Sequence, residues 1–313
     1  MSTAEPPQGT RPPGGGRHEA PLRGEPPGVE HYWAPTTLPA ALEHLRGGEA
    51  TILAGGTDLM PQKNAGRLKL KRSLVSVRRV PELRRIERTD GAIRIGALVT
   101  ISELMRDADV VRHCGALVEA CDHFASDQLR NAATIGGNVC NASPAGDTLV
   151  PLLVLDAEAE LASKPDGAVN TRRVPLFEFF AGPGRTVRRP DELLVAIRVP
   201  LPPAGRFGRF YKFGTRPALD ISAISIGIAG VRDGPVIRDV RVAYGAVAPV
   251  PMRAVATEAA LEGRPLDPDT IARAAVAARD EVRPIDDVRA SAWYRRELVH
   301  NMTKRMLDDV AQA

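Results

Sequence analysis

Short apolar runs, separated by glycine, proline and Asp-Gly pairs, make up most of the first two thirds of the chain. These runs predict strands at 51–54, 73–77, 93–95, 193–199, 207–213, 221–229 and 237–244. Apolar positions spaced by three and four predict helices at 38–45, 101–107, 115–126 and 291–310. Asp-Gly pairs at 90–91, 166–167 and 233–234 predict hairpin turns. Because strands precede helices in the last third, that part is predicted to be a separate α+β domain.

The first 30 residues differ from the rest of the chain. They contain seven prolines, six glycines and almost no large apolar residue. Such a composition cannot pack a core, so we predict a disordered tail at 1–30, or an arm that orders on a partner. The predicted division is therefore a tail at 1–30, one domain at 31–205 and a C-terminal domain at 206–313.

Composition narrows the class of protein. A hydrophobic fraction of 43% excludes a wholly disordered chain, and no stretch approaches the roughly 20 apolar residues of a membrane helix. The net charge of +4 is dispersed, and no nucleic-acid-binding module is seen. Three scattered cysteines and no secretory signal predict a reducing, cytoplasmic location and no iron–sulfur cluster in this chain.

The first candidate ligand segment follows the strand at 51–54. Gly55 and Gly56 let backbone N–H groups approach a ligand, and such a turn forms a nest for phosphate oxygens. Thr57 adds a hydroxyl and Asp58 a carboxylate. The segment is neither GxGxxG nor a P-loop, which excludes the usual dinucleotide and ATP interpretations. Taken alone, two glycines after a strand also fit an ordinary turn.

A second candidate segment spans 131–147. It combines the pair Gly136-Gly137 with several asparagines, a serine and Asp147, and we predict a loop between two helices. Cys140 lies inside this segment, and a small buried thiol is more common at such a position than a redox-active one. Ser143 has no accompanying His/Asp arrangement, so a hydrolase triad is not supported. No histidine pair has metal-ligand spacing, and no metal site is predicted.

Together, the segments 53–59 and 134–147 resemble the two diphosphate-binding loops of FAD subunits in the molybdenum hydroxylases. The resemblance covers about 31–310, and its motifs follow one another in the same order as in the family. Further motifs lie at 179–184, 191–194, 211–222 and 293–298. Thr57-Asp58 and the segment 140–143 are most similar to bacterial xanthine dehydrogenases and hydroxybenzoyl-CoA reductase, rather than to carbon monoxide dehydrogenase. The chain lacks the cysteine-bearing insert of hydroxybenzoyl-CoA reductase.

The resemblance implies an α+β fold. A two-subdomain FAD-binding fold of the vanillyl-alcohol-oxidase-like type would be followed by a C-terminal three-stranded antiparallel sheet with a helical bundle. It also implies noncovalent FAD, since no histidine lies in either glycine loop. The implied FAD-binding residues are Thr51, Ile52, Leu53, Ala54, Gly55, Gly56, Thr57, Asp58, Thr134, Ile135, Gly136, Gly137, Asn138, Asn141, Asp147, Leu193 and Lys212.

The family resemblance also implies roles for these residues. Segments 51–58 and 134–138 would hold the pyrophosphate, while Asn141 and Asp147 would contact the cofactor beyond it. Leu193 would be an apolar contact on the flavin side. Lys212 would lie near the flavin ring, where a cation stabilises negative charge on the reduced flavin. A surface lysine on a strand is the alternative for Lys212.

The implied function is electron transfer. FAD would accept electrons from 2Fe-2S clusters of a small partner subunit and pass them to NAD+ or another acceptor. A large partner subunit would carry molybdopterin, and the implied assembly is a dimer of heterotrimers. No catalytic residue is assigned to this chain. Alternatives are the FAD subunit of a hydroxybenzoyl-CoA reductase, an aldehyde or a carbon monoxide dehydrogenase, a stand-alone FAD oxidoreductase, and a binding module that has lost FAD.

Overall fold

The computed structural model describes residues 28–216 and 219–312, so residues 1–27 of the predicted tail lie outside the described part. The first region comprises β1 His31–Trp33, α1 Leu38–Leu45, β2 Ala50–Leu53, α2 Leu59–Asn64 and β3 Ser73–Ser76. Its strands form a parallel sheet in the order β1-β3-β2. Helix α1 has the predicted bounds 38–45 and begins after Thr37, whose hydroxyl accepts the Ala40 N–H at 3.3 Å. Strand β2 leads directly into the first glycine pair.

The second region is built around a five-stranded antiparallel sheet. After two 3-10 turns, Val77–Arg79 and Pro81–Arg84, it contains β4 Ile86–Thr89, β5 Ala92–Gly96, α3 Ile101–Leu104, α4 Ala108–His113, α5 Gly115–Asp122, α6 Asp127–Arg130, α7 Ile135–Asn141, α8 Leu149–Val154, β6 Glu158–Ser163, β7 Asn170–Pro175, α9 Leu176–Phe179, β8 Phe180–Gly182, β9 Arg185–Thr186 and β10 Leu193–Pro200. The sheet order is β4-β5-β10-β6-β7, and β8 pairs with β9. One face of this sheet packs on the helices between β5 and β6.

The third region has strands followed by helices, as predicted. It contains β11 Arg206–Phe213, β12 Ile224–Asp233, β13 Val236–Gly245, β14 Met252–Arg253, α10 Val255–Leu261, β15 Arg264–Pro265, α11 Pro268–Glu281 and α12 Ala292–Gln312. The strands pair in the order β11-β12-β13-β14, and β15 pairs with β13. The long helix α12 packs on α11 and β12.

Hydrophobic packing joins the second and third regions. Phe210, Ala229 and Ala243 of the C-terminal sheet belong to the core of the second region. The opposite face of that sheet packs on α10, α11 and α12, where the buried Tyr244 hydroxyl lies 2.7 Å from that of Thr303. A third cluster fills the first region and joins it to the second, because it also contains Leu98, Ala162, Leu193 and Val195. The segments that carry the predicted ligand residues therefore emerge from one continuous body.

Several predictions need correction. The segment predicted as a loop at 131–147 contains the helix α7, because Thr134 caps it and tertiary packing outweighs the low helix propensity of its two glycines. The predicted helix at 101–107 ends at Leu104, and a separate helix, α4, begins at Ala108. The predicted strand at 221–229 begins at Ile224, and the three-stranded C-terminal sheet has five strands once the two-residue β14 and β15 are included. All three Asp-Gly hairpins are confirmed.

Candidate cofactor site

Free backbone donors line the turn after β2. Among the described residues, the N–H groups of Gly55, Gly56, Thr57 and Asp58 donate to no protein acceptor, and the Thr57 hydroxyl has no hydrogen bond. Gly56 has a φ of +77°, a backbone conformation that favours glycine. Consecutive N–H groups in such a turn form a concave anion site. The turn therefore has the donors that a phosphate or pyrophosphate group requires.

Close backbone packing joins the two predicted glycine segments. A Cβ atom built on Gly55 would overlap the carbonyl oxygen of Ala132 and would lie 2.9 Å from its carbonyl carbon and 3.3 Å from the Cα of Ala133. Only glycine allows this approach at position 55. Since Ala133 directly precedes Thr134, the structure places the two segments side by side, which the sequence could not establish.

The second segment contributes a capped helix rather than a second set of free donors. The Thr134 hydroxyl accepts the Gly137 N–H at 3.1 Å. The Ile135 and Gly136 N–H groups donate to the carbonyls of Val99 and Ala97, both at 3.0 Å, and the Asn138 N–H donates to the Thr134 carbonyl at 3.0 Å. These internal hydrogen bonds hold the start of α7 beside the first turn, with Gly137 exposed to solvent.

Close packing also explains the glycine at position 136. A Cβ there would lie 2.6 Å from the Cβ of Ala97 and 2.7 Å from its carbonyl oxygen. Gly136 thus lets α7 lie against the end of β5. Farther along α7, the Asn138 Oδ1 accepts the Thr148 hydroxyl at 2.7 Å and links the helix to the residue after Asp147.

A buried ion pair lies beyond this link. Lys212 Nζ on β11 donates to Asp147 Oδ2 at 2.9 Å, and the two side chains are 7% and 12% exposed. Lys212 Nζ also donates to the His123 carbonyl at 3.3 Å, and the Ser222 hydroxyl donates to Asp147 Oδ1 at 3.3 Å. Burial raises the pKa of the Asp147 carboxyl, although Lys212 and Ser222 act to lower it. The alternative of an exposed surface Lys212 is wrong.

The other predicted residues occupy supporting positions. The Thr51 hydroxyl accepts the Lys71 N–H at 2.9 Å. Ile52 and Ala54 pack against the core cluster of the first region, which also contains Leu193 at 3% exposure. Asn141 ends α7 and is half-buried. Direct contact with a cofactor stays a prediction for each of these residues.

Sequence reasoning missed four contributors. Ala132 provides the backbone against which Gly55 packs, Thr148 binds Asn138, and His123 and Ser222 complete the surroundings of the buried ion pair. Ser222 belongs to the 211–222 segment that carries the family resemblance, but its role depends on contact across 75 positions of sequence. Only the fold brings these residues to the site.

The cysteines do not add a reactive group. All three thiols are unpaired. Burial raises the pKa of Cys114 and Cys121 to about 12, and that of Cys140 to about 11. The thiolate, which is the reactive form, is therefore scarce near neutral pH. Within 28–216 and 219–312, no group of three or more His, Cys, Asp or Glu side chains could hold a metal ion.

Comparison with known proteins identifies the family. Residues 27–202 match a family described as "FAD binding domain in molybdopterin dehydrogenase", and residues 209–310 match "CO dehydrogenase flavoprotein C-terminal domain". The chain belongs to the FAD-binding medium subunits of the molybdenum hydroxylases. It is thus a FAD-dependent oxidoreductase subunit with a mixed α+β FAD-binding fold.

Individual relatives of this medium subunit cover nearly its whole length. The xanthine dehydrogenase FAD-binding subunit of Escherichia coli O157:H7 is 34% identical over 285 residues, which cover 90% of this chain and 96% of the relative. The glyceraldehyde dehydrogenase medium chain of Sulfolobus acidocaldarius is 32% identical, covering 90% and 98%. A solved carbon monoxide dehydrogenase from Hydrogenophaga pseudoflava, which lacks the Mo-pyranopterin moiety, superposes with a TM-score of 0.83 at 31% identity, covering 90% and 96%.

The residues of this medium subunit fit FAD. The pyrophosphate of FAD is an anion, and the four free N–H groups of 55–58 with the Thr57 hydroxyl supply five neighbouring donors for its oxygens. A Cβ atom on Gly56 would lie 3.1 Å from Leu53 Cδ1, and one on Gly137 would lie 2.9 Å from the capping Thr134 hydroxyl, so glycine at both positions leaves the turn and the cap undisturbed. In the part of the chain that the structure describes, no helix is long and apolar enough to cross a membrane.

Proposed function

We propose that this medium subunit is the electron-transfer component of a heteromeric, xanthine dehydrogenase-like molybdenum hydroxylase. Its FAD would connect 2Fe-2S clusters of a small partner subunit with NAD+ or another acceptor, and a large partner subunit would carry the molybdenum–pterin centre. The observation that supports this proposal best is the turn at 55–58, whose unpaired N–H groups lie directly beside the capped start of α7.

The subgroup proposal follows the relatives. Identity is 34% to the Escherichia coli xanthine dehydrogenase subunit and 30% to the carbon monoxide dehydrogenase medium chain of Hydrogenophaga pseudoflava. Thr57 and Asp58 in the first turn favour the same branch.

We propose a cytoplasmic dimer of heterotrimers, with a vanillyl-alcohol-oxidase-like FAD fold in 31–205 and a C-terminal domain at 206–313. The unpaired cysteines support the cytoplasmic location.

Each part of the site has a defined task in this proposal. The N–H groups of 55–58 bind the pyrophosphate, and Thr134 fixes the start of α7 beside it. Asn138 holds the 147–148 segment in place, and Lys212 provides the ammonium group closest to the flavin. When bound, FAD supplies the two-electron redox chemistry that none of these side chains provides.

The direct test is purification with the partner subunits, followed by FAD, iron and molybdenum analysis. We expect one FAD per chain and flavin reduction by a purine or aldehyde substrate only in the assembled complex. Flavin reduction by substrate in the isolated chain would instead support a stand-alone oxidoreductase. A folded chain that cannot be loaded with FAD would support a binding module and contradict the proposal.

A further inference from the structure

The ion pair between Lys212 and Asp147 alters the charge that the flavin site receives. The two groups are 2.9 Å apart, and both side chains are almost fully shielded from water. An ammonium group facing the site alone would contribute a full positive charge. A carboxylate this close to the ammonium cancels most of its electrostatic effect on any group whose distance from the pair exceeds the distance between the two charges. The lysine therefore does not act as an isolated cation.

The surrounding hydrogen bonds fix this geometry from several elements. The His123 carbonyl, at the end of α5, accepts from Lys212, while Ser222, in the segment before β12, donates to the free oxygen of Asp147. The segment that contains Asp147 is attached to the C-terminal sheet, because the Ala246 N–H donates to the Pro144 carbonyl at 2.8 Å. The carboxylate is thus built into the scaffold.

Arg295 on α12 supports the same arrangement from the other side. Its guanidinium is buried, and its Nε donates to the Ala223 carbonyl at 3.0 Å, next to Ser222. The Ala223 N–H donates to the Phe213 carbonyl at 2.8 Å, next to Lys212. Both partners of the Asp147 carboxylate are therefore anchored by backbone contacts.

We propose that Asp147 is a positioning residue that holds the Lys212 ammonium and cancels its charge, so that the pair, rather than the lysine alone, sets the reduction potential of the bound flavin. This inference rests on the proposed function, because it requires FAD beside Lys212. It differs from the interpretation of Lys212 as a free cation, which gives Asp147 no electrostatic part.

The two interpretations rank the flavin reduction potentials of three variants differently. Asp147→Asn leaves an uncompensated ammonium, so the flavin should become easier to reduce. We expect its reduction equilibrium constant to rise at least tenfold, which is about 30 mV for a two-electron couple. Lys212→Met leaves the Asp147 carboxylate without its cation and should lower the constant at a pH high enough to keep that carboxyl ionised. The double variant has neither charge and should return close to wild type, because the ion pair is nearly neutral as a unit.

The experiment is a spectroelectrochemical titration of the FAD-loaded holoprotein, with FAD affinity measured in parallel. Glu258→Gln is the control, since it breaks an ion pair with Arg253 of similar burial, at 2.6 Å, between β14 and α10. The control should lower stability and leave the potential unchanged. If Asp147→Asn cannot be loaded, the double variant is compared with Lys212→Met, and a higher potential in the double variant supports the proposal.

Equal potentials in Lys212→Met and the double variant at that high pH would overturn the proposal, as would an unchanged potential in loaded Asp147→Asn. Both results leave the proposed function intact, because FAD is bound in each. A wild-type holoprotein that contains no FAD would overturn the proposed function together with this inference.

Discussion

Gly55→Ala tests how the two glycine segments build the cofactor site. The backbone at Gly55 does not have the positive φ that disfavours alanine, so the effect of a methyl group is steric. That methyl would lie 2.9 Å from the carbonyl carbon of Ala132, about 0.6 Å inside the ~3.5 Å at which carbon atoms pack well. It would also overlap the Ala132 carbonyl oxygen. The turn at 55–58 must therefore move away from α7.

Such overpacking costs about 1–3 kcal/mol. Because the free protein can relax by separating the two segments, whereas FAD needs them together, most of this cost should appear in binding. We expect FAD affinity to fall roughly 5- to 150-fold. Fluorescence titration of the apoprotein with FAD measures the change.

Gly47→Ala is the matched control. It also lacks a positive φ, and its added methyl would meet no atom within 4 Å. The control should bind FAD as wild type does. Circular dichroism confirms that both variants are folded. A folded Gly55→Ala protein with wild-type FAD affinity would refute the view that close contact between these segments creates the site.

Three further predictions concern stability and reactivity. Arg295→Met removes the guanidinium that pairs with Asp287 at 2.8 Å. Loss of one partner of a buried ion pair lowers the free energy of unfolding by about 3–5 kcal/mol. Because Asp287 is 28% exposed, unfolding in guanidinium chloride should show a loss near the lower end of that range. The exposed Lys304→Met on the same helix should change little. Ellman's reagent should label the three cysteines slowly in the native protein at pH 8 and completely in denaturant; fast native labelling would contradict the raised thiol pKa values. Arg172 and Arg189 help hold the pKa of Glu192 at about 2. The stability of the native protein should therefore decline as the pH falls from about 4.5 towards 2. In thermal melts across this pH range, Glu192→Gln should show a smaller decline.

Local sequence signals predicted much of the fold. The three Asp-Gly turns, the helix at 38–45 and the long C-terminal helix are confirmed, because each depends on residues near one another in the chain. The glycine-rich α7 was mispredicted as a loop, since its stability comes from Thr134 and from contact between Gly136 and Ala97. Two-residue strands such as β14 carry too little pattern to be detected.

The site residues likewise include some that the sequence predicted and some that it could not. The motif resemblance supplied the glycine turn and Lys212, because these residues belong to recognisable segments. It also supplied Asp147, but not the ion pair that Asp147 forms with Lys212 across 65 positions, nor the backbone of Ala132 against which Gly55 packs. Such pairings depend on how β11, α7 and the first turn meet in space, and no local period in the sequence encodes them.

In the proposed function, the N–H groups of 55–58 hold the FAD pyrophosphate. Amide hydrogen exchange of the purified chain, measured with and without saturating FAD, tests it at residue resolution. We expect amide exchange at Gly55, Gly56, Thr57 and Asp58 to slow strongly when FAD binds, and exchange in the exposed turn at Gly167 to stay the same. Unchanged exchange at these four residues in a fully loaded protein would contradict this role of the turn.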